Sequence, residues 1–427
     1  MSNSKKDYDV TIIGAGPAGT LAASRLAQRG VSVVVIEKQH FPRFSIGESL
    51  LPQSMVYLQE ANLLDAVESA ADKLGFQYKN GASFFSSGQE STFDFSQKFS
   101  QGPDSTFQVK RAAFDQLLAQ QAEKFGADFI FGSHVTDINF CPAPELTLCD
   151  EKNNTTTINS QFVLDASGFA RVLPRLLDLD LPSDFPVRSS VFSHVVNHSS
   201  DINSGMSSDI NYDRNKILIE THPSIKDVWY WLIPFSDNTA SIGCVAKPEF
   251  FQNLEAEHKL SSNQSLIEES IRQTDRLSKL LSNVEIIGKP QRVTGYSSNV
   301  KQLYGDHYAL LGNAGEFLDP IFSSGVTIAF KSAKLATDCL LKQLNDESVC
   351  WETEFAQPLS SGVSTFKAFV HSWYQGQLQD IIQFQQAPDN VREMICSILA
   401  GYAWDEQNPF NDNTTRRLNV LGEICAS

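Results

Sequence analysis

Residues 8–37 read YDVTIIGAGPAGTLAASRLAQRGVSVVVIE, and this stretch decides the fold of the N-terminal part of the chain. Its apolar residues 8–13 predict a buried strand, and residues 20–29 predict a helix that Gly30 closes. Residues 31–36, with four valines, predict a second strand that ends at Glu37. Because this order is that of a βαβ unit, the chain is predicted to begin with a Rossmann-like α/β domain.

The turn between the first predicted strand and the helix has the spacing of a dinucleotide-binding fingerprint. Its first glycine allows the tight turn, its second lets the backbone approach a pyrophosphate, and its third lets the helix pack closely on the strand. The helix N-terminus then faces the phosphates with the positive end of its dipole. Glu37, which lies 18 residues beyond Gly19, is predicted to accept hydrogen bonds from the adenosine ribose. The predicted cofactor-binding residues of the turn are Gly14, Ala15, Gly16, Pro17, Ala18 and Gly19.

Bulk composition narrows the classes of function. The formal net charge is −16, and because nucleic acids and anionic membranes repel an acidic surface, no general affinity for either is expected. The seven cysteines are scattered without C-x-x-C spacing, which predicts reduced thiols in the cytoplasm and no metal site. No secretory signal is visible, and no uncharged apolar stretch reaches the roughly 18 residues that span a bilayer.

The segment after the second predicted strand indicates which dinucleotide is bound. Residues 38–52 read KQHFPRFSIGESLLP. The pattern F-P-R-x-x-x-G-E-S-L-x-P resembles that of the flavin-dependent halogenases and of related geranylgeranyl-reductase-like flavoproteins, which are FAD enzymes of the p-hydroxybenzoate-hydroxylase fold. The resemblance implies that Arg43 lies near the cofactor phosphates and that Gly47, Glu48 and Ser49 line the flavin. It also assigns Lys38 to the cofactor site. FAD is therefore favoured over NAD.

Three later segments resemble the remaining FAD motifs of that family, in the expected order. They are QVKR at 108–111, FVLDASG at 162–168 and GNAGEFLDP at 312–320. The resemblance assigns Arg111, Asp165, Asn313 and Asp319 to the cofactor site. Asn313 stands where the family carries an aspartate that holds the ribityl chain. An amide still hydrogen-bonds hydroxyl groups, but the local charge is lost, which bears on binding strength more than on cofactor identity.

The separation of these motifs along the chain predicts a discontinuous FAD-binding domain of residues 1–75, 101–180 and 285–345. Strand-like segments at 187–196, 216–221, 228–234 and 240–246 predict an inserted, mainly antiparallel β-sheet substrate domain of residues 76–100 and 181–284. Residues 252–281 are predicted to be helical, and residues 346–427 to be a C-terminal helical region. The predicted fold class is thus α/β.

Lys79 is the candidate catalytic residue. A single lysine is usually a solvated surface charge, but GFQYKNGA at 75–82 resembles the G-F-x-x-K-x-G-A context of the essential halogenase lysine. A lysine amine can form a chloramine with hypohalous acid, or it can hydrogen-bond that acid and direct it. Burial would increase the free-amine fraction, because it lowers the pKa of a lysine.

A halide site is predicted directly after Asp319. Residues 319–326, DPIFSSGV, resemble a family segment in which backbone amides at the Ser-Gly end hold the halide, here Ser324 and Gly325. A helix N-terminus of small residues offers unpaired N–H groups to an anion, although the turn could also cap the helix and serve flavin contact alone. Free-tryptophan halogenases carry a glutamate where Phe322 stands. The resemblance therefore implies a phenol, a pyrrole or another electron-rich ring as substrate, and not free tryptophan.

The run WYWLIP at 229–234 resembles the W-x-W-x-I-P mark of the halogenases. It predicts an aromatic-rich strand that ends at Pro234, which has no N–H to donate to a sheet. In the family the run lies near the tunnel between flavin and lysine, so Trp229, Trp231 and Phe322 are assigned to a substrate tunnel. Packing of two buried indoles without a functional role is the alternative.

The resemblance as a whole implies an FAD-dependent halogenase that installs chlorine or bromine on an electron-rich aromatic ring. A separate flavin reductase would supply FADH2, which with O2 and a halide ion yields hypohalous acid. The small aromatic substrate could be free or tethered to an acyl or peptidyl carrier protein. Two alternatives remain open: an FAD-dependent monooxygenase or dehydrogenase of the same fold, and a non-catalytic flavoprotein that binds a carrier protein.

Overall fold

The computed structural model describes residues 6–197, 212–316, 318–384 and 388–426. The strands are β1 (Lys6–Ile13), β2 (Val33–Glu37), β3 (Gln77–Lys79), β4 (Gly81–Ser86), β5 (Gln89–Asp94), β6 (Thr106–Gln108), β7 (Asp128–Phe131), β8 (Ser133–Asn139), β9 (Glu145–Asp150), β10 (Thr155–Asp165), β11 (Asp180–Leu181), β12 (Ser189–Asn197), β13 (Lys216–Thr221), β14 (Trp229–Pro234), β15 (Thr239–Ala246), β16 (Val284–Thr294), β17 (Asn299–Val300), β18 (Tyr304–Gly305) and β19 (Tyr308–Leu310). The helices are α1 (Pro17–Ala27), α2 (Gln53–Glu60), α3 (Leu64–Leu74), α4 (Arg111–Lys124), α5 (Val172–Leu176), α6 (Pro248–His258), α7 (Asn263–Arg272), α8 (Leu277–Leu280), α9 (Gly325–Leu344), α10 (Gln357–Tyr374), α11 (Gln377–Gln383), α12 (Asp389–Leu399) and α13 (Thr414–Ala426).

A mainly parallel sheet forms the cofactor domain. Its strand order is β18-β19-β10-β1-β2-β7, in which β19, β10, β1, β2 and β7 run parallel. An antiparallel pair, β8 and β9, extends the sheet beside β10. Strand β2 is buried along its whole length, and α1 packs against α4 and α9 on one face of the sheet. The predicted Rossmann-like α/β architecture is confirmed.

A seven-stranded sheet carries the predicted substrate side, in the order β16-β12-β15-β14-β13-β4-β5. All its strand pairs are antiparallel except β13 with β4. The hairpin between β14 and β15 turns at Asn238, which adopts a φ of +63°. Alternate residues of β14 enter different cores, because side chains of a strand alternate between its two faces. Trp229 and Trp231 face the cofactor domain, whereas Tyr230 faces helices α6 to α8.

The C-terminal helices complete the core between the two sheets. Helix α10 packs on α9 and α13, and α11 contacts β4 and β5. Four apolar residues of α10 and α11 are buried in this core: Trp373, Leu378, Ile381 and Ile382. Among the described residues, no helix is both long enough and apolar enough to cross a membrane.

Two sequence-based boundaries are corrected. Residues 285–294, predicted to belong to the cofactor domain, lie in β16 and pair with β12 in the second sheet. The helix predicted over 252–281 is three helices. Lys259 ends α6 in a left-handed conformation, and Ser262 starts α7 with a capping box. Where α8 begins, the buried carboxylate of Glu220 accepts the backbone N–H groups of residues 275–277.

Candidate active site

The glycine-rich turn has the shape of a phosphate cradle. Gly14 adopts a φ of +101°, and a Cβ placed on it would lie 2.5 Å from the carbonyl oxygen of Ala166. A Cβ on Gly19 would lie 2.0 Å from the carbonyl oxygen of Gly14. A Cβ on Gly16 would meet only Nη2 of Arg43, at 3.8 Å, so the outer side of the turn is open. The turn therefore fits the pyrophosphate of a dinucleotide.

Charged side chains surround this turn. The buried Glu37 carboxylate accepts the N–H of Ala15 at 2.9 Å and lies 3.5 Å from Nη2 of Arg43. Nη1 of Arg43 lies 3.1 Å from Asp115, whose two oxygens accept from Nε and Nη2 of Arg111 at 2.8 and 3.0 Å. Nε of Arg43 is buried without a hydrogen-bond partner among the described residues. That unused donor is what a bound phosphate would satisfy.

The Gly47–Ser49 segment links the cofactor side to the second sheet. Oε1 of Glu48 lies 2.7 Å from Nε2 of His194 on β12, and Oε2 is buried without a partner among the described residues. The hydroxyl of Ser49 accepts a hydrogen bond from Lys79. Lys38, in contrast, lies exposed on the surface just after β2.

Asp165 is fully buried where β10 ends, and it shapes the cofactor cradle from behind. Its two oxygens accept the N–H groups of Ser167 at 2.9 Å and Leu173 at 2.7 Å, and burial raises its pKa. These bonds fix the loop that contains Ala166, against which Gly14 packs. The structure thus places Asp165 in a supporting position, with its oxygens already occupied by backbone donors.

Asn313 lies in a 3-10 turn over Gly312–Ala314, with its side chain half-buried. The buried guanidinium of Arg171 donates to the carbonyl oxygens of Asn313 and Gly315, each at 3.2 Å, and binds Asp180. Arg171 therefore holds this loop in place. Motif spacing did not identify it, since its contacts reach across 142 residues of sequence.

Lys79 ends β3 and is 1% exposed. Its Nζ donates to Oγ of Ser49 at 2.8 Å and to the carbonyl oxygen of Leu50 at 2.7 Å, and it lies 5.5 Å from the centre of the Phe95 ring. No carboxylate within the described part of the chain forms an ion pair with it. Burial lowers its pKa from 10.5 to about 7. The amine therefore exchanges between its neutral and charged forms near neutral pH.

The turn after β19 presents a helix N-terminus. The Asp319 carboxylate accepts the N–H of Ile321 at 3.2 Å and so caps the short 3-10 turn Pro320–Phe322. Ser323 then adopts a φ of +56°, Ser324 is buried, and α9 begins at Gly325. A Cβ on Gly325 would meet no heavy atom within 4 Å, so a small anion has room beside the first N–H groups of α9.

The two tryptophans of WYWLIP are held by different partners. Nε1 of Trp231 donates to the hydroxyl of Ser241 at 3.1 Å, and its ring covers Gly243, where a Cβ would lie 2.2 Å from the indole. Nε1 of Trp229 donates to the hydroxyl of Tyr374 on α10 at 3.1 Å. The rings of the two tryptophans are 5.9 Å apart. Both indoles thus combine packing with a fixed hydrogen bond.

An aromatic wall runs from the D-P turn, the segment of residues 319–325, to strand β4. The ring of Phe322 lies 6.1 Å from those of Phe369 and Trp373, and Trp373 lies 6.0 Å from Phe84. Phe84 belongs to β4, the strand that starts two residues after Lys79. The predicted halide turn is therefore connected to β4 by contiguous aromatic packing.

Sequence reasoning missed the side chains that join these segments to one another: Arg171, His194 and Tyr374. Each makes its contact with a segment more than 140 residues away in the sequence.

Comparisons with known proteins identify the relatives of this architecture. The family model of the FAD binding domain matches residues 7–276. A 1H-pyrrole-2-carbonyl-peptidyl-carrier-protein chlorinase of Pseudomonas fluorescens is 30% identical over 393 residues, which cover 87% of this chain and 84% of the relative. A tryptophan 2-halogenase of Chondromyces crocatus is 31% identical over 365 residues, covering 83% of this chain and 65% of that relative. The crystal structure of a flavoprotein/dehydrogenase from Cytophaga hutchinsonii matches with a TM-score of 0.91 at 37% identity, covering 99% of each chain.

Proposed function

Because this chain belongs to the flavin-dependent halogenase family of FAD-binding proteins, we propose that it uses FAD to install chlorine or bromine on an electron-rich aromatic ring. The observation that carries the proposal is the buried amine of Lys79, held by the same segment that lines the cofactor side. A lysine with a pKa of about 7 is available both as a nucleophilic amine and as a hydrogen-bond donor to hypohalous acid.

The residues of the chain divide the work of the reaction. Bound FAD, once reduced, supplies the electrons with which O2 and halide give hypohalous acid. The glycine turn and Arg43 hold the cofactor phosphates, and the N–H groups beginning at Gly325 hold the halide. Ser49 and the Leu50 carbonyl keep Nζ of Lys79 in one position, from which it directs the halogen to the ring. The aromatic wall, which begins at Phe322, excludes water beside the halide turn.

The substrate class follows from what lines the site. Phe322, packed against Phe369 and Trp373, supplies no carboxylate to polarise an indole. We therefore propose a phenol or a pyrrole, rings that their own heteroatom activates. The similar chlorinase acts on a pyrrole carried by a peptidyl carrier protein, so a carrier-tethered pyrrole is the first substrate to test. Free tryptophan should be tested beside it as the substrate that we expect to remain unhalogenated, because a tryptophan 2-halogenase is also similar to this chain.

Two further features belong to the proposal. We propose that a flavin reductase supplies the reduced cofactor, as the family resemblance implies; the lack of a second dinucleotide fingerprint in the sequence is compatible with such a two-component system and with a single-component hydroxylase alike. A cytoplasmic location is supported by the seven cysteines, which are all free thiols.

The second candidate is an FAD-dependent dehydrogenase or monooxygenase of the same fold. It is favoured by the 37% identity to a flavoprotein/dehydrogenase over nearly the whole chain. In that case the substrate would react beside the flavin itself, and the amine of Lys79 would not be required for product formation.

Turnover with a flavin reductase, halide and a pool of phenols and carrier-tethered pyrroles separates the two candidates. Wild type is compared with Lys79→Ala and with Lys289→Ala, which removes an exposed lysine of β16. Halogenated product that disappears only in Lys79→Ala, with FAD content retained, supports halogenation. An oxygenated or dehydrogenated product that forms equally well in all three proteins would reject it.

A further inference from the structure

A buried hydrogen-bond chain joins strand β14 to the D-P turn. Nε1 of Trp229 donates to Oη of Tyr374 at 3.1 Å, and that phenol donates to Oδ2 of Asp319 at 2.7 Å. Asp319 is only 1% exposed. Its other oxygen, Oδ1, accepts the N–H of Ile321 at 3.2 Å. One carboxylate thus binds Tyr374 with one oxygen and starts the Pro320–Phe322 turn with the other.

The groups around this carboxylate make the bond to Tyr374 important. Tyr296 donates a second, longer bond of 3.2 Å to the same oxygen of Asp319. The guanidinium of Arg188 stacks 3.9 Å from the centre of the Tyr374 ring and pairs with Asp227 at 3.0 Å. Burial raises the pKa of Asp319 to about 6, and its hydrogen-bond donors with the nearby Arg188 limit that rise. A phenol that donates to a buried carboxylate makes one of the stronger protein hydrogen bonds.

We propose that Tyr374 is a positioning residue for the halide site: through Asp319 it fixes the turn that leads into Ser324 and Gly325, and through Trp229 it ties that turn to β14. The inference rests on the proposed function, because it takes the start of α9 as the halide site. Tyr374 acts through Asp319 and does not itself touch halide or substrate.

The geometry explains why the effect should fall mainly on halide binding. The turn Pro320–Phe322 has the Asp319 carboxylate as its cap, so a displaced carboxylate lets the backbone at Gly325 shift. Among the described residues, the glycine turn of residues 14–19 shares no hydrogen bond with this network of side chains. The resemblance also assigns Asp319 to the cofactor site, but Tyr374→Phe keeps its carboxylate, so halide affinity should fall much more than FAD affinity.

The test measures halide binding without turnover. FAD-loaded, oxidised protein is titrated with sodium bromide and with sodium chloride, and the flavin absorbance or the heat of binding is followed. Tyr374→Phe keeps the ring beneath Arg188 and removes both hydrogen bonds. Tyr8→Phe is the matched control, because it removes a phenol-to-carboxylate bond of 2.8 Å, to Asp128, elsewhere in the cofactor sheet.

We expect Tyr374→Phe to bind bromide about tenfold more weakly and to lose much less of its FAD affinity, whereas Tyr8→Phe binds bromide like wild type. In turnover, the KM for halide should rise by the same factor while kcat at saturating halide changes little. Trp229→Phe removes the hydrogen bond at the other end of this network, so it should weaken halide binding too. The double variant should lose less than the product of the two separate factors, because both changes act on one network.

The outcomes separate this inference from the proposed function. If wild type binds bromide and Tyr374→Phe binds it equally well, the positioning role is rejected and the halogenase proposal stands. Equal losses of FAD and bromide affinity would also reject the positioning role, since they indicate a general structural defect. If wild type binds neither halide, the halide site of the proposed function fails first. Should Tyr374→Phe not fold, Trp229→Phe decides by the same comparison.

Discussion

Replacing Lys79 by methionine, a side chain of similar length without the amine, tests the buried lysine most quantitatively. Its pKa is lowered from 10.5 to about 7, and at 1.36 kcal/mol for each pH unit the charged form costs the folded state about 5 kcal/mol. The sign follows from proton binding: the folded protein holds this proton less tightly than the unfolded chain. The cost is complete below pH 7 and disappears as pH rises through 10.5, so wild type gains stability relative to the variant over that window.

Two further effects of the substitution do not depend on pH in this window. Ser49 and the Leu50 carbonyl lose their donor in Lys79→Met, at a cost of about 1–3 kcal/mol for each group left buried without a partner. The difference in free energy of unfolding between wild type and variant should therefore change by about 3 kcal/mol in favour of wild type between about pH 7 and about pH 9.5.

Urea-induced unfolding of the FAD-loaded proteins at those two pH values measures this difference. Lys289→Met, which removes an exposed lysine, should show no such change relative to wild type. The same samples are assayed for halogenated product, which we expect only from wild type and Lys289→Met. A stability difference that stays constant with pH would refute a buried amine of low pKa, and halogenation by Lys79→Met would refute its catalytic role.

Three other expectations follow from the site. Gly14→Ala places a Cβ 2.5 Å from a backbone carbonyl oxygen and should lower FAD occupancy, which flavin absorbance measures. Gly126→Ala is the control: Gly126 has a similar φ of +106°, but a Cβ there would meet no atom within 4 Å, so this variant should retain FAD. In Gly325→Ala the added methyl group lies in open space, so the fold and FAD binding should be retained. Because that space is the proposed halide site, the KM for halide should rise about tenfold, and an unchanged KM would show that the halide binds elsewhere. The rate of halogenation should increase as pH rises through about 7, because the neutral amine of Lys79 is the form that reacts with hypohalous acid; a rate that falls over this window would assign the role to the ammonium form.

The parts of the fold and site that rest on contiguous residues could be predicted from the sequence. The glycine turn is one example, because the steric need at Gly14 and Gly19 arises within a few residues of chain. The strand at WYWLIP is another example, since a run of large apolar residues is typical of a strand that is buried on both faces. The α/β architecture followed from such local constraints, whereas the choice of FAD over NAD followed from the resemblance of several motif segments to the flavin-dependent halogenases.

Contacts between distant segments could not be predicted. Trp229 and Tyr374 are 145 residues apart, and Glu48 and His194 are 146 apart. Whether such side chains meet depends on how the second sheet and α10 dock on the cofactor domain, which local periodicity does not encode. Strand β16 was misassigned for a related reason. It is an edge strand, largely half-exposed or exposed, and it contains Pro290, so its apolar alternation is weak.

The most direct test of whether the protein is a halogenase is mass spectrometry of its product. The product is formed once with chloride and once with bromide in place of chloride. FAD-loaded protein is supplied with a flavin reductase, O2 and a carrier-tethered pyrrole or a phenol. We predict a product whose mass and isotope pattern change from those of chlorine to those of bromine with the halide supplied, and which is absent with Lys79→Met. A product of one mass that is the same with either halide, oxygenated or dehydrogenated, would contradict it.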